Sequence, residues 1–321
     1  MSVLVLSETD VRAVLDMESC IAAMEDALAA LARDELAMPF RTVFRPPADA
    51  LLGLMPAYRG GSEPLFALKE IVVAPKNSTR GLDPHQGAVL LHDGGTGVLR
   101  AILNASAITE IRTAAVSAVA TKLLARPGAR RVAILGSGVQ GRSHAEAMRT
   151  VVHDPDLRVW SRNPAHAEAL ALEAHGLACE TVEEALADAE IVCTCTAARE
   201  PIVRLPWLAE GAHVNAVGSS VPSARELEVD VVAAALLFVD RRESTVNEAG
   251  DWLGAVRELG LGADHIRAEL GELLVGTREG RRDAAELTLF KSLGLAVEDL
   301  AAAALCVERA RERGLGVEVD F

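Results

Sequence analysis

The stretch RVAILGSGVQGRSH, residues 131–144, decides the fold of this chain. Its first five residues are a largely apolar run that predicts a buried strand, and a helical pattern starts at Val139. Between them stand Gly136, Gly138 and Gly141 in the spacing Gly-x-Gly-x-x-Gly. In a dinucleotide site the first glycine permits the tight turn, the second admits the pyrophosphate and the third packs the helix against the strand. We therefore predict a dinucleotide-binding unit with the phosphates on the helix N-terminus.

Strand and helix signals alternate after this stretch. Asn163 followed by Pro164 predicts one helix start, and Thr181 with Glu184 has the spacing of a capping box. The strand signals between the helices are LRVW, EIVCTCT, HVNAVG and LLFVD. The predicted fold class is α/β, a Rossmann doubly wound parallel sheet with helices on both faces.

The residues before this stretch follow a different pattern. They combine an amphipathic helix with strand-like runs separated by Gly and Pro, and the runs lie at 51–54, 65–73, 88–92 and 98–103. This arrangement predicts an α+β domain with antiparallel pairing, which we place at residues 1–118. A helix that starts at Thr109 and stops before Pro127 would lead from this domain into the next one.

The totals limit the classes of partner. A chain of 321 residues is long for one core, which favours two domains. Its formal net charge of −14 would repel a phosphate backbone, so we expect no nucleic-acid partner. The apolar run at 231–239 is too short to span a bilayer and the N-terminus has no signal-peptide pattern, so we expect no membrane association. Five scattered cysteines favour a reducing cytoplasm and no metal site.

The residues after the second predicted strand bear on the choice of cofactor. In NAD sites an acidic residue usually ends this strand and binds the adenosine ribose. Here Ser161 and Arg162 follow LRVW, and the Arg162 guanidinium could contact a 2′-phosphate. We expect NADPH to be preferred, with NADH as the other candidate; the alternative interpretation is that Arg162 is a solvated turn residue.

Segments along nearly the whole chain resemble the ornithine cyclodeaminase/μ-crystallin family. The resemblance is carried by GLMPAY (53–58), ALKEIVVAPKN (67–77), ITEIRTAA (108–115), ILGSGVQGRSH (134–144), HVNAVGSSVP (213–222), NEAGD (247–251) and FKSLGLAVEDLAAA (290–303). It implies a homodimer whose first domains join their sheets, and a C-terminal helix that returns to the first domain. The implied domains are 1–118 with 297–321 for substrate and dimer contacts, and 119–296 for the cofactor. Members deaminate and cyclise ornithine or lysine, reduce cyclic ketimines, or interconvert alanine and pyruvate.

Matching the family positions assigns candidate site residues. Arg41, Lys69 and Arg112 would grip the carboxylate of a small amino acid or cyclic imine, with Ser220 beside the substrate and Lys69 as the catalytic residue. From the residues alone, Arg41 could equally be a surface cation. The expected cofactor contacts are Thr113, Gly136, Gly138, Val139, Gln140, Gly141, Ser161, Arg162, Thr196, Val217, Gly218 and Lys291.

Two of these cations are also informative without the resemblance. Lys69 interrupts the apolar run 65–73, where an unpaired ammonium is costly to bury, so it needs an anionic partner. Adjacent strand residues face opposite ways, so a substrate carboxylate is a better candidate than Glu70. Arg112 would lie in the first turn of the helix that Thr109 caps, where a bound anion would offset the unfavourable macrodipole.

Two positions depart from the cyclodeaminases of the family. A glutamate that receives the distal ammonium is replaced by Gly53, and an aspartate that assists deamination is replaced by Ser220. Deamination would then lack its acid/base group. The favoured function is NAD(P)H-dependent reduction of Δ1-pyrroline-2-carboxylate or Δ1-piperideine-2-carboxylate to L-proline or L-pipecolate, with Lys69 or water protonating the nitrogen. The alternatives are an ornithine cyclodeaminase, an alanine or N-alkyl amino-acid dehydrogenase, and a non-catalytic binding protein.

Overall fold

A computed structural model describes residues 2–47, 50–83 and 85–321. The chain divides into two units, Met1–Arg112 with Leu295–Phe321 and Thr113–Gly294. Each unit has its own sheet. Among the described residues, no helix combines the length and the apolar character needed to cross a membrane.

The elements follow one another in this order. The first unit begins with β1 (Ser2–Leu6), α1 (Glu8–Val14), α2 (Met17–Ala32), β2 (Leu36–Ala37), β3 (Thr42–Phe44), β4 (Leu51–Arg59), β5 (Leu65–Val73), β6 (His85–Asp93) and β7 (Leu99–Asn104). Helix α3 (Ala105–Leu124) follows, and its residues from Thr113 onward belong to the second unit. The second unit continues with β8 (Arg131–Leu135), α4 (Val139–Val151), β9 (Asp156–Trp160), α5 (Pro164–Glu173), β10 (Leu177–Ala178), α6 (Val182–Leu186), β11 (Ile191–Thr194), β12 (His213–Ala216), α7 (Val229–Ala234), β13 (Leu236–Val239), α8 (Arg242–Glu248), α9 (Gly250–Leu259), β14 (Ile266–Glu269), α10 (Leu270–Leu274) and β15 (Thr288–Lys291). The chain ends with α11 (Ala296–Arg313) and β16 (Val317–Asp320).

The sheet of the first unit is largely antiparallel. Its strand order is β16-β1-β7-β6-β5-β4-β2, with β3 also paired to β4, and only β1 and β7 run parallel. Antiparallel pairing of β4 through β7 follows from short connections between consecutive strands. Helix α11 contacts α2, β4, β5 and β6, so the C-terminal helix packs on this sheet.

Strand register places a row of unlike side chains on the face that α11 covers. Lys69 is paired with Met55 on one side and Val89 on the other, and all three side chains are buried. The adjacent row on the same face contains Ile71 with Gly53 beside it. Because side chains alternate along a strand, Glu70 points to the opposite face and is exposed.

The sheet of the second unit is parallel throughout, in the order β10-β9-β8-β11-β12-β15-β13-β14. From β8 the chain adds β9 and β10 on one side and β11 and β12 on the other, with β15, β13 and β14 beyond β12. Helices connect most of the consecutive strands. This is the doubly wound α/β architecture that the sequence predicts. The carboxyl ends of β8, β11 and β12 therefore meet at one edge of the sheet.

One expected helix boundary is wrong. Helix α3 begins at Ala105 and not at Thr109, because the Asn104 side chain accepts a hydrogen bond from the backbone N–H of Ala107 at 2.9 Å and caps the helix. Arg112 consequently lies about two turns inside the helix, beyond the reach of the N-terminal partial charge. A different interaction must therefore stabilise its guanidinium.

Two strands are also longer than expected. Strand β4 continues from Leu51 through Pro56 to Arg59, although proline is unusual inside a strand, and β6 starts at His85. The long β4 carries Gly53 and Met55 alongside β5. Length in these strands comes from pairing with neighbours and not from local propensity.

Candidate active site

The turn between β8 and α4 fits the pyrophosphate of a dinucleotide. Gly136 has a φ of +113°, which favours glycine, and its N–H donates to Trp160 O at 2.8 Å. A Cβ on Gly141 would lie 2.1 Å from Gly136 O, so this glycine allows the close packing of the turn. A Cβ on Gly138 would meet nothing within 4 Å. Gly138 is the N-cap of α4, so the open space lies at the helix terminus, where backbone N–H groups can bind phosphate.

The segment after β9 carries the two residues expected to contact the adenosine half. The Ser161 and Ser137 hydroxyls are 2.8 Å apart, which joins this segment to the glycine turn. Arg162 is exposed, and the next residue, Asn163, accepts from Ala165 N–H at 3.1 Å and starts α5 as expected. The guanidinium is therefore accessible to a ligand beside the turn.

A buried carboxylate that sequence reasoning missed joins the segments after β11 and β12. Glu226 Oε1 accepts from the N–H and the hydroxyl of Thr196, each at 2.7 Å. Its Oε2 accepts from the Thr194 hydroxyl at 2.6 Å and from Gly218 N–H at 2.7 Å. Burial raises the pKa of Glu226, an effect that Lys291 and these donors oppose. Two expected cofactor residues, Thr196 and Gly218, thus share one anchor.

Lys291, an expected cofactor contact, is held by groups of its own unit. Its side chain is buried, its Nζ donates to Ala216 O at 3.1 Å, and it lies 3.1 Å from Asp251 Oδ2. Asp251 Oδ1 in turn accepts from the N–H groups of Glu226 and Leu227 at 2.8 and 3.0 Å. Lys291 therefore supports the segment that carries Glu226.

The remaining expected cofactor residues lie near the start of α4, in α3 or just after β12. Val139 is exposed at the first position of α4, Gln140 is half-buried beside it, Thr113 is buried in α3 and Val217 is buried after β12. The backbone carbonyl of Gln140 accepts from His144 Nδ1 at 2.7 Å, so His144 Nε2 accepts from the Ser117 hydroxyl at 2.9 Å. Burial lowers the pKa of His144 to about 4, which keeps the ring neutral at pH 7.

The first unit brings the expected substrate-binding cations together. Lys69 Nζ lies 2.8 Å from Asp299 Oδ2 and 3.4 Å from the Thr109 hydroxyl. Arg112 donates from Nε to Asp299 Oδ1 at 3.0 Å and from Nη1 to Glu298 Oε2 at 2.9 Å. We call Lys69, Arg112, Glu298 and Asp299 the clamp. Asp299 is thus the anionic partner that the buried Lys69 requires, a residue that the sequence analysis did not consider beside Glu70 and a substrate carboxylate.

Glu298 and Asp299 were missed by sequence reasoning, although a signal for them exists. Both lie in the first turn of α11, where the macrodipole favours carboxylates. Both are fully buried within the run AVEDLAAA. Adjacent acids in an apolar helix require cationic partners for the same reason that Lys69 requires an anionic one.

The pKa of Lys69 reflects the charges around it. Burial lowers this pKa to about 8, with Asp299 raising it and the positive charges of Arg112 and Arg41 lowering it. Arg41 is half-buried and lies near enough for its charge to act on Lys69. Lys69 and Arg112 are matched by Asp299 and Glu298 within the clamp, and Arg41 adds a third cation beside it. Three cations close together suit a ligand that carries a carboxylate.

The two positions that depart from the cyclodeaminases are small or exposed. A Cβ on Gly53 would lie 3.3 Å from Ile71 Cγ2, on the same sheet face as Lys69 and one row away from it. Ser220 is exposed in the segment after β12. In the described ranges, no group of three His, Cys, Asp or Glu side chains could hold a metal ion.

Comparisons with known proteins agree with one another. The model of the ornithine cyclodeaminase/mu-crystallin family matches residues 1–314. The ketimine reductase mu-crystallin of Mus musculus is 42% identical over 271 residues, covering 83% of each chain. The structure of Thermococcus litoralis Δ1-pyrroline-2-carboxylate reductase with NADH and L-proline superposes with a TM-score of 0.94 at 35% identity, covering 98% of this chain and 100% of that one. An archaeal alanine dehydrogenase dimer with bound NAD has a TM-score of 0.94 at 28% identity, covering both chains fully.

The two glycines at the start of α4 should respond differently to an added methyl group. Gly141→Ala forces a contact with Gly136 O, so we expect the unfolding temperature of the ligand-free protein to fall by about 5 °C or more. Gly138→Ala has open space around it and should change that temperature by less than about 2 °C while raising the Kd for NADH at least about tenfold. Thermal unfolding and NADH fluorescence titration measure both quantities. Normal NADH binding by Gly138→Ala would contradict the placement of the pyrophosphate.

Proposed function

The chain belongs to the ornithine cyclodeaminase/mu-crystallin family, and from that premise we propose that it reduces cyclic ketimines bearing a carboxylate on the imine carbon. The substrates proposed are Δ1-pyrroline-2-carboxylate and Δ1-piperideine-2-carboxylate, and the products are L-proline and L-pipecolate. The relatives named as ketimine reductase and as Δ1-pyrroline-2-carboxylate reductase support this choice.

The observation that carries the proposal is the clamp, in which one buried carboxylate contacts both Lys69 and Arg112. Arg112 donates from Nε and Nη1 to Asp299 and Glu298, and a guanidinium carries five N–H donors in all. Together with Arg41 these groups suit the carboxylate of a substrate, which fixes the carbon next to it.

The same site lacks what cyclodeamination requires. A second ammonium on the substrate would face Gly53, which offers no carboxylate, and Ser220 has no acid/base group of suitable pKa. Loss of a charge-assisted interaction costs roughly 1.5–3 kcal/mol. We therefore place ornithine outside the preferred substrates.

The reaction adds two electrons and two hydrogens across the C=N bond. When bound, the nicotinamide supplies the hydride for the imine carbon. Lys69 orients the substrate, and its ammonium is the group that we assign to deliver a proton to the nitrogen. The intact pair of Lys69 and Asp299 disfavours a purely non-catalytic binding role.

We propose NADPH as the preferred cofactor, because the exposed Arg162 stands where an acid would select NAD. The bound NADH and NAD of the similar structures make NADH the comparison to run. The 2′-phosphate would be held by the guanidinium and by the nearby Ser161 hydroxyl.

We propose that the protein is a homodimer joined through the face of the first sheet opposite α11. The archaeal alanine dehydrogenase is a dimer. The apolar side chains of this face are half-buried or exposed: Leu52, Leu54, Tyr58, Phe66, Leu68, Val72, Leu90 and Ile102. Such a contiguous apolar surface is typical of a protein–protein interface.

Substitution of Arg162 tests the cofactor assignment. In Arg162→Ala we expect the Kd for NADPH to rise at least about tenfold, as for loss of one charge-assisted contact, while the Kd for NADH changes less than about twofold. Fluorescence titration of both cofactors with wild type and variant gives the four constants. An equal rise in the Kd values for NADPH and NADH would contradict the proposed contact between Arg162 and the 2′-phosphate.

Substitution on the open sheet face tests the dimer. Leu68 lies near the middle of that face, so Leu68→Asp should convert the protein to monomer by placing a charge in the interface. Leu172→Asp is the matched control, since Leu172 is 81% exposed on α5 in the second unit. Sedimentation velocity measures the masses. A wild-type monomer, or a Leu68→Asp dimer, would contradict the proposal.

A substrate panel tests the reaction. With NADPH or NADH we expect reduction of both cyclic imines, and with L-ornithine and catalytic NAD+ we expect little proline or ammonia. Pyruvate with ammonia or methylamine is assayed alongside, because its faster turnover would favour the amino-acid dehydrogenase alternative. Ornithine turnover comparable to imine reduction would make the protein a cyclodeaminase.

A further inference from the structure

One carboxylate, that of Asp299, contacts both cations of the clamp. Its Oδ2 lies 2.8 Å from Lys69 Nζ and its Oδ1 accepts from Arg112 Nε at 3.0 Å. The Asp299 side chain is 1% exposed. We propose that Asp299 is a positioning residue that couples Lys69 to Arg112 and keeps the Lys69 ammonium protonated for transfer to the imine nitrogen. This inference rests on the proposed imine reduction.

The geometry explains why an aspartate suits this role. A lysine side chain carries a compact charge at the end of a flexible four-carbon chain. Its ammonium therefore needs an external contact to hold one position. Asp299 is fixed in the first turn of α11, a helix packed on β4, β5 and β6. Arg112 has a second contact to Glu298. Asp299 thus sets the spacing between the two cations, while Glu298 contacts the guanidinium at Nη1 and accepts from the Leu295 N–H.

The surroundings of Lys69 make its protonation depend on Asp299. The charged and titratable groups near it come from α11, α3, the segment before β3 and β6, and they are Asp299, Glu298, Arg112, Arg41 and His85. The strand neighbours Met55 and Val89 are apolar. Burial, Arg112 and Arg41 lower the pKa of Lys69, and Asp299 is the principal group that raises it, so the balance lies at about 8.

The proton transfer balances without another reagent. Hydride adds to the imine carbon, the π electrons of the C=N bond move to nitrogen, and the nitrogen takes a proton from Lys69 Nζ. The neutral amine of Lys69 keeps a hydrogen bond to Asp299 and regains its proton from solvent. Above the pKa of Lys69 the donor is lost, so imine reduction should decline as the pH rises through about 8.

The small number of lysines permits a direct measurement of this pKa. The chain has four, Lys69, Lys76, Lys122 and Lys291, so protein labelled with [ε-13C]lysine gives four NMR signals. The Lys69 signal is the one absent from Lys69→Met. Titration requires no turnover, and it can be compared with the pH dependence of kcat/KM for the imine.

Asp299→Asn is the test variant and Glu298→Gln is its matched control. Removing the Asp299 charge should lower the Lys69 pKa by about one unit or more and move the alkaline limb of kcat/KM to lower pH by the same amount. Glu298→Gln also removes one buried charge, but from the far side of Arg112, and should lower the Lys69 pKa by less than half of that shift. An unchanged or raised Lys69 pKa in Asp299→Asn, or an equal shift in the control, would overturn the proposal.

Two further outcomes separate this inference from the proposed function. If the Lys69 pKa falls in Asp299→Asn but the alkaline limb of its kcat/KM profile stays at the wild-type pH, Lys69 is not the proton donor and the inference fails. The proposed imine reduction would still stand in that case. If wild type reduces no imine, the proposed function fails and the inference with it. Should Asp299→Asn not fold, Asp299→Glu retains the charge, so the Lys69 pKa should stay within about half a unit while the KM rises at least about tenfold. A KM that did not rise would overturn the positioning role.

Discussion

The interaction on which the substrate site depends is the buried contact of Asp299 with Lys69 and Arg112. A buried charge must be paired, because desolvation without a partner costs several kcal/mol. Strand β5 brings Lys69 inside, α3 brings Arg112, and α11 must return across the sheet to supply the acids. The C-terminal helix therefore supplies both carboxylates of the clamp. Its position follows from electrostatics as well as from apolar packing.

In the second unit buried charges are also paired, and there they fix the spacing between the ends of two strands. Glu226 accepts four hydrogen bonds from the segments after β11 and β12, and Asp251 with Lys291 supports the backbone at Glu226. The segments that follow parallel strands leave the sheet at one edge and no longer pair with each other. A buried carboxylate that accepts hydrogen bonds from both segments fixes the distance between them. The rigid edge can then present the glycine turn and the threonine and glycine segments as one surface. In both units, buried acids fix the positions of groups that we expect to bind ligands.

The proposed specificity comes partly from what is missing. Gly53 and Ser220 stand at positions where the cyclodeaminases are expected to carry acids, whereas Lys69 and Arg112 of the clamp are present. The buried cations suit one carboxylate, which cyclic imines, proline and alanine all share. Charge would therefore select the class of substrate, whereas the choice between imine reduction and amination depends on the second reactant.

The sequence by itself determined the fold class, the cofactor turn and the need of Lys69 for an anion, because these depend on local periodicity, on backbone freedom at glycine and on the cost of burying a charge. It did not determine which anion serves Lys69, since Asp299 lies on a helix that only folding brings beside β5. It also misplaced the start of α3, because Asn104 ends a strand and caps a helix at once. The burial of Lys291 and the role of Glu226 were likewise decided by tertiary structure, as partners distant in sequence carry no periodic signal. Short-range patterns fix which elements form, and long-range packing alone decides which buried charges meet.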